Sequence, residues 1–208
     1  MTTEEESRSA APARSVGDPG PGLTFIFTML TMCFWGIYAG IYDGPTDLAV
    51  GLTQLACFVP YTVGAILYYL RGDSMSGTIF LAFATLFGAL GGILNVAAGL
   101  SDAIGFDMCR QMAAIPFIWG SLILLPLIAS IWKTASAAGT LCFISIVIFL
   151  TLMALVSLGV LPESTNVIIK WLCFFTAVDG YYTGLNALLG IGGLKKLPEG
   201  KPLGLWFK

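Results

Sequence analysis

Six stretches of this chain run for about twenty residues or more with almost no charge. They lie at about Leu23–Tyr42, Leu48–Leu70, Met75–Leu100, Gln111–Trp132, Gly139–Leu161 and Val167–Ile191. A helix needs about 20 apolar residues to cross the hydrocarbon core of a bilayer, so each run is a candidate span. The loops between them are short: Asp43–Asp47, Arg71–Ser74, Ser101–Arg110, Lys133–Ala138 and Pro162–Asn166. Short loops make consecutive helices antiparallel neighbours, which predicts a compact all-α bundle of six transmembrane helices. Pro60, Pro116 and Pro126 fall inside runs and either kink a helix or mark its start.

The charges give the orientation. Of the ten Lys and Arg, Arg8, Arg14, Arg71, Lys133, Lys195, Lys196, Lys201 and Lys208 fall on one side, and Arg110 and Lys170 on the other. Cytoplasmic loops carry the excess of cations, so both termini are expected in the cytoplasm. Residues 1–20 are polar and charged, opening on Glu4, Glu5 and Glu6, and read as a disordered cytoplasmic tail rather than a secretory signal. Residues 21–194 form the membrane domain, and 195–208 a short basic tail. With only 11% charged residues among 208, no stretch remains for a separate soluble domain, and a net charge of −2 says nothing for nucleic acid.

Composition also bears on chemistry. There is no histidine, which removes the commonest general base and the commonest metal ligand. The five cysteines are scattered without a CxxC spacing and read as small buried hydrophobes. No span holds paired carboxylates, and the glycine-rich stretches are apolar rather than phosphate loops. No enzyme, cofactor or metal site is expected; passage of something small, or assembly, remains.

Polar residues inside the runs are costly and therefore informative. Asp179 sits near the middle of the last run, where a charged group costs at least about 2.5 kcal/mol on insertion scales. At about 100° per residue, Thr176, Tyr182, Thr183 and Asn186 share its face within roughly 60°. Two readings stay open for Asp179: a hydrogen bond to another helix, or a place on a solute or proton path. Gly180 and Gly184 beside it allow a neighbouring helix to come close. In the first run Thr24, Thr28, Thr31, Trp35 and Tyr38 line one face, which suits a wetted surface or a helix contact. Tyr61 lies deep in the second run, after Pro60. Asn95 in the third is too costly to face lipid and should meet protein or water.

Three short stretches resemble one family. The segment Asp18–Leu23, DPGPGL, is similar to the NPAPLGL stretch that precedes the first helix of the acetate uptake transporter family, the YaaH-like succinate–acetate permeases. Asp18 stands there for Asn, and one residue is missing. The segment Arg71-Gly72-Asp73-Ser74-Met75, followed by Thr78 and Phe80, resembles the family's KGNTFGLTAF. Tyr182 and the closing Leu197-Pro198-Glu199-Gly200 resemble its tyrosine and its LP-x-G. The departures are Tyr61 and Tyr68 in place of Gln and Glu, Phe83 in place of a hydroxylated aromatic, and Asp179 in place of a small residue. The resemblance implies a multi-pass inner-membrane hexamer in which each protomer has its own pore. It implies passage of acetate or similar monocarboxylates, often with protons, through an aromatic constriction, for which Phe25 or Phe27, with Phe83, are candidates. An anion crossing such a pore meets no mid-span Lys or Arg, so hydroxyls, amides and ring edges must replace its water. An ionised Asp179 repels an anion, whereas the neutral acid donates a hydrogen bond or carries a proton; the expectation is therefore proton-coupled or protonated-acid passage. Two other functions fit the residues: a pore for a neutral or cationic solute such as urea, an amide or ammonium, and a non-transporting scaffold or sensor.

Overall fold

In a computed structural model of the chain, residues 16–42, 46–105 and 109–206 are described. The tail read as disordered lies outside them over residues 1–15, with Arg8 and Arg14, as do the loop residues 43–45 and 106–108 and the terminal Lys208. Helix α1 spans Gly20–Tyr38, α2 Thr46–Leu70, α3 Ser74–Ala82 and α4 Gly91–Ile104. Between α3 and α4 the chain winds as a π-helix over Phe83–Leu90, so the three make one rod. Helix α5 spans Ala114–Ile131, α6 Ala137–Ser157 and α7 Asn166–Ile191. Among the described residues there is no strand.

Local chemistry sets the boundaries. Helix α1 starts at Gly20 rather than Leu23 because Pro19 and Pro21 suit a first turn, where an N–H has no partner to lose. It stops at Tyr38 rather than Tyr42, because Gly40 turns left-handed at φ 66° and Ile41 N–H donates back to Gly36 O at 3.1 Å. Pro116 sits in the first turn of α5, while Pro60 and Pro126 lie inside α2 and α5. Asp73 caps α3: its carboxylate accepts from Ser76 N–H at 3.0 Å and Ser76 O–H at 2.7 Å. The backbone bond first, then the hydroxyl, holds the Asp73 carboxyl below its ordinary value. A depressed carboxyl contributes stability above the unfolded pKa of about 3.9 and loses it as pH falls through the folded value. The Ser76 amide proton is thus expected to titrate in NMR with a midpoint below about 3.9, and to lose that titration in Asp73→Asn.

Each rod packs on the next in sequence, and α7 packs along α1, so the rods close a ring. Small residues let the seams close. A Cβ on Gly51 would lie 2.5 Å from Val96 N, and one on Gly88 2.9 Å from Phe58 Cα, so α2 runs backbone against backbone on the third rod. On the α1–α7 seam a Cβ at Gly180 would meet Thr28 Cγ2 at 2.8 Å, and one at Gly184 would meet Thr24 Cγ2 at 3.1 Å. The outer surface is apolar, with Val63, Ile66, Ile93, Leu122, Leu125 and Val178 each about half exposed. Five rods, all but α7, are long and apolar enough to cross a membrane. Helix α7 has 26 residues, enough for about 39 Å, and carries Lys170 and Asp179.

Both ends of the described chain meet at one end of the ring. Arg71 Nη1 donates to Val16 O at 2.8 Å and lies 3.8 Å from the Asp18 carboxylate, which also accepts from Gly20 N–H at 2.9 Å. Gly204 N–H donates to Trp132 O at 2.9 Å, and Ala138 N–H to Glu199 O at 3.0 Å. Residues 16–19, the α2–α3 turn, the α5–α6 turn and the C-terminal segment therefore share this face, here called the terminal end. Arg71, Lys133, Lys195, Lys196 and Lys201 belong to it.

Candidate solute pathway

A closed ring of helices leaves an interior, and three cavities lie along it, lined between them by side chains from all six rods. The sequence numbers show that they are stacked. Along α1 the walls step from Thr24 and Phe27, through Leu30 and Thr31, to Phe34, Ile37 and Tyr38. Along the third rod they step from Ser76, Ile79 and Phe80, through Phe83 and Phe87, to Leu94, Asn95 and Ala98. Helix α6 steps in the same way from Cys142 and Ile146, through Phe149 and Leu150, to Met153 and Ser157. The cavities thus form an axial row of about 150, 20 and 190 Å³ from the terminal end outward.

The divisions are aromatic. Phe27 and Phe83, stacked with centroids 5.8 Å apart, belong to both the terminal-end and central cavities. Phe34 belongs to both the central and far ones. Phe83 is the hub: it also meets Tyr61 at 6.2 Å, Phe80 at 6.1 Å and Phe87 at 5.4 Å. The central void of about 20 Å³ has room for about one water.

The polar groups along the row are few. Thr24, Ser76 and Thr183 face the terminal-end cavity, Thr31 and Tyr61 the central one, and Tyr38, Asp47, Asn95 and Ser157 the far one. Most hydroxyls have spent their proton locally: Thr24 donates to Gly20 O, Thr31 to Phe27 O and Ser157 to Met153 O, each at 2.8 Å. Their lone pairs stay available as acceptors. Among the described residues no Lys or Arg lines any of the three cavities, and Asp47 is the only charged residue that does. Among the described residues no cluster of His, Cys, Asp or Glu could hold a metal ion.

Of the residues singled out in the sequence, Phe27, Thr31, Tyr61, Phe83 and Asn95 come together along this row. The other five lie elsewhere. Phe25 packs on Tyr181 with centroids 5.6 Å apart, and Thr28 is buried against Gly180, both on the α1–α7 seam. Tyr182 O–H donates to Pro198 O at 2.6 Å, and Asn186 Oδ1 accepts from Leu197 N–H at 2.6 Å, so these two tie down the C-terminal segment. Asp179 is half-buried one turn before Thr183; its Oδ2 has no hydrogen-bond partner among the described residues, and its electrostatic neighbours are Glu199 and Cys142. These bonds explain the sequence landmarks. Tyr182 and the LP-x-G stretch hold each other, as do DPGPGL and the α2–α3 turn through Asp18 and Arg71.

Sequence reasoning missed Gln54. It is 1% exposed, donates to Phe87 O at 2.8 Å and accepts from Asn95 Nδ2 at 2.5 Å. The cost of a buried amide, which flags Asn95, flags Gln54 equally. It also missed Phe34 and Phe87, although a seven-residue spacing puts Phe34 on the face of Phe27.

A ring of helices with an apolar outer face, five of its rods long and apolar enough to cross a membrane, defines a multi-pass membrane protein with a row of cavities along its interior. No family model matches the sequence, and no curated protein matches it. Among solved structures, the fold matches that of the bacterial acetate channel SatP with a TM-score of 0.72, covering 88% of this chain and 99% of that one at 16% identity. At that identity the likeness is one of fold.

Proposed function

We propose that this protein conducts acetate and similar small monocarboxylates across a membrane. The observation that carries the reading is the axial row of cavities, adjoining at Phe27, Phe83 and Phe34, inside a fold shared with an acetate channel. The lining suits a small solute with one polar end. Rings pass its methyl group, and hydroxyls and the Asn95 amide replace part of its water. With no cation among the described residues of the row and Asp47 at its far end, passage as the protonated acid, or together with a proton, fits better than passage of the bare anion. In this reading α7 is the sixth span, the cation-rich terminal end faces the cytoplasm, and the protein works as a homo-oligomer, a hexamer by resemblance, in the inner membrane.

A second reading, a pore for urea, an amide or ammonium, draws on Asp47 and on the same lack of cations. Proteoliposomes separate the two. Labelled acetate uptake is expected to saturate, to rise with an inward proton gradient and to resist excess urea, acetamide or ammonium. Uptake of those solutes in place of acetate reverses the order of the readings. An intact oligomer with no flux of any of them leaves the scaffold reading.

A further inference from the structure

The central cavity holds one polar group that folding does not explain. Tyr61 is 1% exposed, and its hydroxyl has no hydrogen-bond partner among the described residues. Its ring is fixed on two sides, stacked on Phe80 at 6.1 Å and edge-on to Phe83 at 6.2 Å. Phenylalanine would make the same ring contacts without burying an unsatisfied hydroxyl, and such groups are rare enough in folded proteins to need a reason. The cavity supplies one. Tyr61 lines the narrowest part of the row, and the other hydroxyl there, on Thr31, already donates to Phe27 O at 2.8 Å. The rest of that lining is Leu and Phe.

We infer that the Tyr61 hydroxyl is the hydrogen-bond donor to the carboxyl group of the permeating solute at the constriction, and so the residue that selects solutes bearing an acceptor there. This rests on the proposed conduction of monocarboxylates. The two vestibules of about 150 and 190 Å³ are wide enough for water to accompany the solute, whereas the central void of about 20 Å³ is not. A carboxyl group squeezed between Phe27, Phe34 and Phe83 loses its water, and an uncompensated polar group in such surroundings is a large barrier. A phenol held in place by stacked rings offers its proton with no reorganisation. While the solute passes, the hydroxyl donates to its carboxyl group; between solutes the void has room for about one water in that place.

The test uses the full chain in proteoliposomes with labelled acetate, and the purified protein in detergent for thermal unfolding. Tyr61→Phe is expected to lower the maximal uptake rate about ten- to a hundredfold, the range spanned by one hydrogen bond to a charged or strongly polar acceptor. It is expected to melt no lower than the native protein, because no protein hydrogen bond is lost. Tyr61→Gln, which keeps a donor, is expected to retain more uptake than Tyr61→Phe despite losing the ring. Normal native uptake with unchanged uptake in Tyr61→Phe overturns the inference alone. A clearly lower melting temperature in Tyr61→Phe also overturns it, since the hydroxyl would then be a structural bond. Absence of acetate uptake by the native protein removes the proposed function and this inference with it.

Discussion

Gln54→Leu is expected to cost about 1–3 kcal/mol of stability and to disturb the constriction as well. The reason lies in the π-helical stretch. In an α-helix Gly91 N–H would donate to Phe87 O, but here it donates to Leu86 O and Gly88 O, so Phe87 O is passed over. The Gln54 amide fills the vacancy from α2 at 2.8 Å and takes a bond from Asn95 at 2.5 Å. Leucine fills much of the space but leaves the Phe87 carbonyl unsatisfied at a position where Gln54 is 1% exposed, while the Asn95 amide, which lines the far cavity, turns to water there. Interhelical bonds measured inside membranes average only about 0.6 kcal/mol, because the unfolded chain also finds partners; that figure is the floor. The carbonyl has no alternative unless the helix rewinds, and rewinding would carry Phe83 and Phe87 off their present faces. Thermal unfolding in detergent measures the loss. Asn95→Leu should cost less, since it breaks one bond, and the double variant should cost less than the sum of the singles. Additive losses would mean that the three groups do not act as one network.

The apolar runs carry most of the fold. Twenty uncharged residues cannot leave the backbone unpaired in lipid, so helices are forced, and short loops force neighbours. The closure of the ring is not in that pattern. It depends on where small residues lie: Gly51 and Gly88 admit α2 to the third rod, and Gly180 and Gly184 admit α1 to α7. The π-helix has no local signature either, because the group that satisfies it, Gln54, lies 33 residues away from Phe87. The pathway divides in the same way. Thr31, Tyr61 and Asn95 stand out because a polar group inside a span is expensive. Phe34 and Phe87 do not, because a phenylalanine facing a cavity is of the same type as Phe175, which is exposed. The stripe on α7 is legible as a stripe, but what it faces depends on residues 193–206 folding back. Pro198 and Leu197 supply the partners of Tyr182 and Asn186, and no helical periodicity encodes that return.

Phe27→Ala is expected to raise acetate uptake several-fold and to raise butyrate uptake more, so that the ratio of butyrate to acetate rates increases. Phe27 and Phe83 together separate the terminal-end cavity from the central one, and either could be removed to join them. Phe83 is the wrong choice, because it makes ring contacts with Phe27, Tyr61, Phe80 and Phe87 and is 6% exposed. Truncating a buried Phe costs about 3–5 kcal/mol, and its neighbours would tend to fall into the gap. Phe27 is only half-buried and, among the described residues, stacks on the ring of Phe83 alone, so its loss leaves the hub standing. The barrier falls because the solute no longer has to push a pair of stacked rings aside, and each 1.4 kcal/mol removed is about tenfold in rate. The gain is bounded, since Phe34 still divides the central cavity from the far one. Initial rates of labelled acetate and butyrate in proteoliposomes, at equal concentrations, measure both effects. If the butyrate-to-acetate ratio stays at the native value while the protein remains folded, selection by size takes place at Phe34 instead. Phe34→Ala should then produce the change, because among the described residues Phe34 is the one wall that the central and far cavities have in common.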